Sequence, residues 1–110
     1  MTISLYSGYN MARMRYDIVF APEAVDDYRR LKANLRSTVR DAIALHLRHQ
    51  PTKISKSRIK RLRGIRKPQY RLRVEDVRIF YDVTGNTVEI LAIVEKSRAS
   101  NWLESTGEAE

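Results

Sequence analysis

The stretch Tyr70-Arg71-Leu72-Arg73-Val74-Glu75-Asp76-Val77-Arg78-Ile79-Phe80-Tyr81-Asp82-Val83 decides the fold. Successive residues of an extended chain point to opposite faces, so Tyr70, Leu72 and Val74 share one face and Arg71 and Arg73 the other. Glu75-Asp76 reads as a tight turn. Val77, Ile79, Tyr81 and Val83 then return on the apolar face, alternating with Arg78, Phe80 and Asp82. The result is a pair of antiparallel strands whose outer face is basic, with Arg78 beside Arg71 and Arg73. Thr84-Gly85-Asn86 signals a second turn. It leads into Thr87–Glu95, whose Ile90-Leu91-Ala92-Ile93-Val94 run is apolar without a break, as expected of a central strand covered on both sides.

Upstream, Tyr16-Asp17-Ile18-Val19-Phe20 is a short β-branched and aromatic strand that ends at Ala21-Pro22, where proline suits the first turn of a helix. Val25, Tyr28 and Leu31 recur at helical spacing, with acids early and Arg29, Arg30 and Lys32 late, as the macrodipole favours. The spacing predicts a helix over Pro22–Lys32. A second helix, capped by Asn34, carries Leu35, Val39, Ala42, Ile43 and Leu47 on one stripe, and Pro51 stops it near His49. The expected order is β-α-α-β-β-β: an α+β fold with a small, mainly antiparallel sheet and an N-terminal helical hairpin packed on one face. Residues 1–14 read as a flexible leader, with Met11 and Met14 as alternative starts, and 15–103 as one domain. Within that domain Ser55-Lys56-Ser57 is the linker-like stretch and Lys96–Trp102 a last helical turn. Residues 104–110 read as an acidic frayed tail.

A chain of 110 residues, 43% hydrophobic and 31% charged, is sized and composed for one folded domain. The absence of cysteine removes disulfides, thiolate nucleophiles and cysteine-ligated metals. Two histidines are too few for an imidazole metal centre, although carboxylates remain able to hold magnesium. No cofactor and no membrane partner are expected. No apolar run is long enough to span a bilayer, and the first residues lack the layout of a secretory signal, so a cytoplasmic location is expected.

The net charge of +8 is concentrated. Between Asp41 and Glu75 there is no acidic residue but 11 lysines and arginines, which leaves the rest of the chain at −3. A segment this one-sided repels itself until a polyanion or an acidic protein neutralises it. Ile59, Leu62, Ile65, Tyr70 and Leu72 interleave with the charges, so the segment reads as folded and not as a tail.

The sequence resembles the RelE/ParE superfamily of toxins from bacterial type II toxin–antitoxin systems. The resemblance rests on Tyr16–Ala24, Leu62-Arg63-Gly64, Tyr70–Val74, Val77–Val83 and Val88–Val94, in that order, over roughly residues 15 to 103. It implies a RelE-like fold. RelE-like members are ribosome-dependent endoribonucleases that cut mRNA in the ribosomal A site, and ParE-like members poison DNA gyrase. Both are neutralised by an acidic antitoxin that wraps the basic toxin. The RelE-like branch is the expectation, with ribosome and mRNA as partners. A gyrase inhibitor without nuclease chemistry is the alternative, and a plain nucleic-acid-binding module a third reading.

Position by position, the resemblance places Arg71 and Arg73 where RelE-like enzymes often carry two lysines, and Arg78 at their shared arginine. Metal-independent RNA cleavage lets a ribose 2′-hydroxyl attack the adjacent phosphate, and cations stabilise the charge that gathers in the transition state. Arg78, Arg71, Arg73 and Lys96 are the expected catalytic set, with Arg78 as charge stabiliser. Lys60, Arg61, Arg63, Arg66, Lys67 and Arg98 are the expected phosphate-binding set. Arginine holds its proton too firmly to act as base, so Arg71 and Arg73 neutralise and position. Lys96 or Arg98 replaces the family's C-terminal arginine, and Leu103 occupies the position of its tyrosine. Trp102 is expected to clasp the hydrophobic surface and Tyr81 to pack in the core. Glu75, Asp76 and Glu95 are expected at turns and strand ends. His46 and His49 are expected on the helix surface, away from the basic strands.

Overall fold

The computed structural model describes residues 15–110. The expected leader, residues 1–14, lies outside the described residues. Strand β1 (Asp17–Phe20) runs into helix α1 (Pro22–Arg30), and two extended residues, Leu31 and Lys32, turn the chain into helix α2 (Ala33–Leu47). Three short strands follow: β2 (Ile59–Arg61), β3 (Ile65–Lys67) and β4 (Tyr70–Val74). After them come the longer β5 (Val77–Thr84) and β6 (Thr87–Glu95). A single 3-10 turn, Lys96–Arg98, leads into helix α3 (Ala99–Thr106) and a last pairing segment, β7 (Glu108–Ala109).

The main sheet has the order β1-β6-β5-β4-β2, with β1 parallel to β6 and every other pair antiparallel. It is the mixed α+β architecture read from the sequence, with two amendments. Strands β2 and β3 were not expected: each is three residues with one apolar side chain, too short for a period-two pattern to register. The central strand is β5, not β6. β6 is nevertheless interior along its first half, where β1 covers Thr87–Ile90. Beyond Ile90 its edge has no strand neighbour among the described residues, and there the Asp27 carboxylate of α1 accepts the Ile93 N–H at 2.9 Å.

One bulge explains why β6 reads as a continuous apolar run. Tyr81 is opposite Ile90 while Phe80 is opposite Ala92, so Leu91 is an extra residue and the alternation flips across it. Ile90 and Ile93 thereby both face the helices, three positions apart, and Ala92 faces the other way. The core lies between this face and the hairpin: Leu72, Ile79, Tyr81, Val88 and Ile90 meet Ala24, Val39, Ile43 and Leu47. Tyr81 is wholly buried, stacks on Tyr70 and donates to the Pro51 carbonyl at 2.6 Å.

The helix boundaries shift slightly from expectation. α1 stops at Arg30, and Lys32 stands in the cap position of α2, so Asn34 falls within its first turn, its carbonyl accepting from the Thr38 hydroxyl. The C-terminus departs further, because residues 104–110 are not frayed. α3 continues to Thr106, and the chain beyond it pairs with β3, Ile65 against Ala109 and Lys67 against Glu108. An ion pair between Arg66 and Glu108 fastens the pairing. Acidic tail and basic hairpin attract, which a reading of the tail by itself could not register.

A candidate phosphate-binding face

The face of the sheet turned away from the α1–α2 hairpin is where the arginines gather. Residues directly opposite each other on antiparallel strands share a face, so the register puts Arg73 against Arg78 and Lys60 against Arg71. Like charges set opposite each other oppose the pairing that holds the strands. Two such pairs stand side by side here, and among the described residues no carboxylate pairs with Arg71, Arg73 or Arg78.

The three guanidiniums differ in surroundings. Arg73 is exposed. Arg71 is half-buried, and its Nε is enclosed without an acceptor. Burial, then the charges of Arg78 and Arg73, pull the Arg71 guanidinium below its ordinary pKa, although arginine remains charged at neutral pH. Arg78 is only 8% exposed, and its Nη1 donates to the carbonyls of Glu75 and Val77 at 2.9 and 3.0 Å. It therefore ties the β4–β5 turn to the sheet while adding its charge to the cluster. Glu75, at the first position of that two-residue turn, has a positive φ of 52°, a conformation that glycine adopts at lower cost.

The remaining expected residues divide. The Lys96 backbone donates to Asp76 at 2.7 Å, which sets Lys96 at the same end of the sheet as Arg73 and Arg78. Lys60 lies on the shared face through its register with Arg71. Arg61 is turned over the Tyr70 ring and donates to the Leu62 and Gln69 carbonyls, so it closes the loop between β2 and β4. Arg66 is paired with Glu108, and Lys67 stands 4.0 Å from Asp82. Arg63 is exposed between β2 and β3. Arg98 lines a separate cavity of about 490 Å³ between α1 and α3. Trp102, on α3, stacks on Phe80 at 4.8 Å and 12° between planes, and Phe80 is the cross-strand partner of Arg71. The clasp therefore lies next to the arginine cluster. Among the described residues no three His, Asp or Glu gather closely enough to hold a metal ion.

On the opposite side, Ile18 and Phe20 of β1 form an apolar groove with Val25, Tyr28 and Ile43 of the hairpin, of about 530 Å³, rimmed by Arg29, Arg40 and Arg48. No helix among the described residues is long and apolar enough to cross a membrane.

Over residues 18–100 the chain matches the family described as the ParE toxin of type II toxin–antitoxin systems, parDE. The chain belongs to this toxin family. The ParE-family fold of this chain also occurs in the archaeal RelE–RelB complex from Pyrococcus horikoshii OT3, with a TM-score of 0.63 and 22% identity, over 77% of this chain and 99% of that one. The isolated Escherichia coli RelE toxin gives a TM-score of 0.60 at 19% identity, over 82% and 94% of the two chains. The YoeB dimer of Staphylococcus aureus gives 0.51 at 20% identity, over 73% and 95%. No curated protein matches the chain by sequence. The RelE-like fold is thus the one that the order of strands and basic segments led us to expect.

Proposed function

We propose that this type II toxin is a ribosome-dependent endoribonuclease that cuts mRNA without a metal and acts in the cytoplasm. The observation that carries the reading is the guanidinium cluster of Arg71, Arg73 and Arg78, which no carboxylate among the described residues neutralises, joined by Lys60 through its register with Arg71. A phosphate seated there relieves two like-charge cross-strand pairs at once, and the phosphorane formed by 2′-hydroxyl attack, being more negative, relieves them further. In this reading Arg71 and Arg73 touch that phosphate as charge-assisted donors. Arg78, held on two carbonyls, positions the turn and contributes field. Lys96, at the same end, gives a proton to the departing 5′-oxygen, and the proton of the attacking 2′-hydroxyl passes to solvent water.

The partner is an antitoxin, as in the RelE–RelB complexes of the same fold. The apolar groove between β1 and the hairpin, with its three-arginine rim, suits the apolar face of an acidic amphipathic segment.

The second reading, a gyrase poison, is favoured by one observation: among the described residues no free carboxylate or imidazole is bonded to Arg71, Arg73 or Arg78 as a ready-made base. Two assays separate the readings. Purified toxin added to a translating extract is expected to cut the message, and Arg71→Ala to abolish cutting. DNA breaks in the presence of gyrase, with the message intact, would establish the second reading instead.

A further inference from the structure

His46 does not lie apart from the basic strands, as the helical pattern suggested. Its Nε2 receives the Nη1 hydrogen of Arg58 at 2.8 Å, across the gap between α2 and the start of β2. Nε2 is the acceptor, so the ring is neutral with its proton on Nδ1. Burial, and then the Arg58 charge, hold the imidazole below its ordinary pKa, which keeps it in that form at neutral pH. Arginines in folded proteins are usually aimed by a carboxylate, which cancels their charge. Here a neutral ring aims Arg58 and leaves the charge intact.

The backbone of Arg58 is equally fixed. The Ser55 hydroxyl accepts the N–H groups of both Arg58 and Ile59 at 3.0 Å, the Ser55 N–H donates to the Ile59 carbonyl, and the Arg58 carbonyl accepts the Arg73 N–H at 2.9 Å. The stretch that reads as a linker is therefore an ordered turn that presents one side chain. Arg58 and Arg73 line a cleft of about 420 Å³ together with Ser57, Thr38 and His46, and Glu75 is the only carboxylate among the described residues lining it. Arg73 belongs both to this cleft and to the guanidinium face already described. The two surfaces thus share one residue, at the end of β4.

We propose that this cleft is a second phosphodiester subsite, in which Arg58 and Arg73 hold a backbone phosphate of single-stranded RNA next to the one on the sheet face, with His46 as the positioning residue for Arg58. The inference rests on the RNA reading of the neighbouring face. The sharing of Arg73 favours a nucleic-acid backbone over a protein carboxylate, because a polyanion presents phosphates in series along one strand.

The test is the binding of a 2′-O-methylated single-stranded RNA octamer, which cannot be cut, by full-length toxin across a salt series. Arg58→Gln is expected to weaken binding about threefold to fivefold, as for an exposed charge contact. It is also expected to lower the slope of log affinity against log salt by about 0.7, the loss of one phosphate contact on a single strand. His46→Glu, which pairs with Arg58 and neutralises it, should match Arg58→Gln. His46→Gln keeps an acceptor and should stay within about twofold of wild type with its slope unchanged. An unchanged slope in Arg58→Gln, with wild type still binding, overturns the cleft alone. So does an Arg58→Gln effect on an acidic antitoxin peptide but not on RNA. A wild-type protein whose affinity does not respond to salt overturns the RNA reading of the sheet face as well.

Discussion

Arg71 is charged in a place where burial and two neighbouring guanidiniums all oppose the charge. The outward-facing arginines were legible from the alternation in residues 70–78, because period two leaves no other face for them. Their inequality was not legible. That Arg78 would be spent on the carbonyls of its own turn depends on backbone directions that a pattern of residue types does not encode. His46 escaped for a related reason: its partner lies 12 positions away and is itself basic, a pairing that no charge-complementarity rule seeks. Tyr81 shows the reverse case, a core residue read correctly whose polar end matters. Its hydroxyl satisfies the buried Pro51 carbonyl, so Tyr81→Phe is expected to cost about 1–2 kcal/mol in chemical denaturation at neutral pH. Burial, and then the neighbouring Tyr70, hold the phenol well above its ordinary value. The neutral form is therefore the folded one. Its stabilising contribution is whole below the unfolded value near pH 10 and falls as pH rises beyond it, by about 1.4 kcal/mol per unit. Urea titrations above pH 10 should accordingly be less steep in pH for Tyr81→Phe than for wild type.

At the scale of elements, the β4–β5 turn and α3 each carry a prediction. Glu75 adopts a positive φ beside the cluster, so Glu75→Gly trades that local strain against the added freedom of glycine in the unfolded chain. The balance expected is about 1 kcal/mol in favour of the variant, or roughly 4–8 °C in Tm for a domain of this size. Scanning calorimetry checks it, and a lower Tm contradicts it. α3 is fastened to the sheet by Trp102 on Phe80 and to β3 through β7. Trp102→Ala should cost about 1–3 kcal/mol from lost area and stacking. It should also raise amide hydrogen exchange over residues 99–109 while leaving β4–β6 protected. The long strands, the hairpin and its stop at Pro51 were readable because each spans several periods. Strands β2 and β3 were too short for that, and the Leu91 bulge disguised a one-sided strand as a two-sided one. The pairing of the tail arises from two segments more than 40 residues apart.

For the whole molecule, charge asymmetry and element order together led to the fold and the family, since a basic segment interleaved with apolar residues must lie on a folded surface. The proposed assignment of partners to surfaces rests on the three-dimensional arrangement: guanidiniums cluster on one side of the sheet, and an apolar groove ringed by Arg29, Arg40 and Arg48 opens on the other. Separate surfaces predict separable defects. Arg40→Glu is expected to weaken antitoxin binding severalfold in calorimetric titration with little effect on cutting. Equal losses in both would place the partner on the guanidinium face. The most direct measurement is the single-turnover rate at which Arg71→Gln cuts a ribosome-bound message, compared with wild type. Loss of a donor to the transition-state charge predicts a rate lower by about a hundredfold to a thousandfold in a protein of unchanged circular dichroism. A rate within twofold of wild type would contradict the assignment of this face as the site of phosphoryl chemistry.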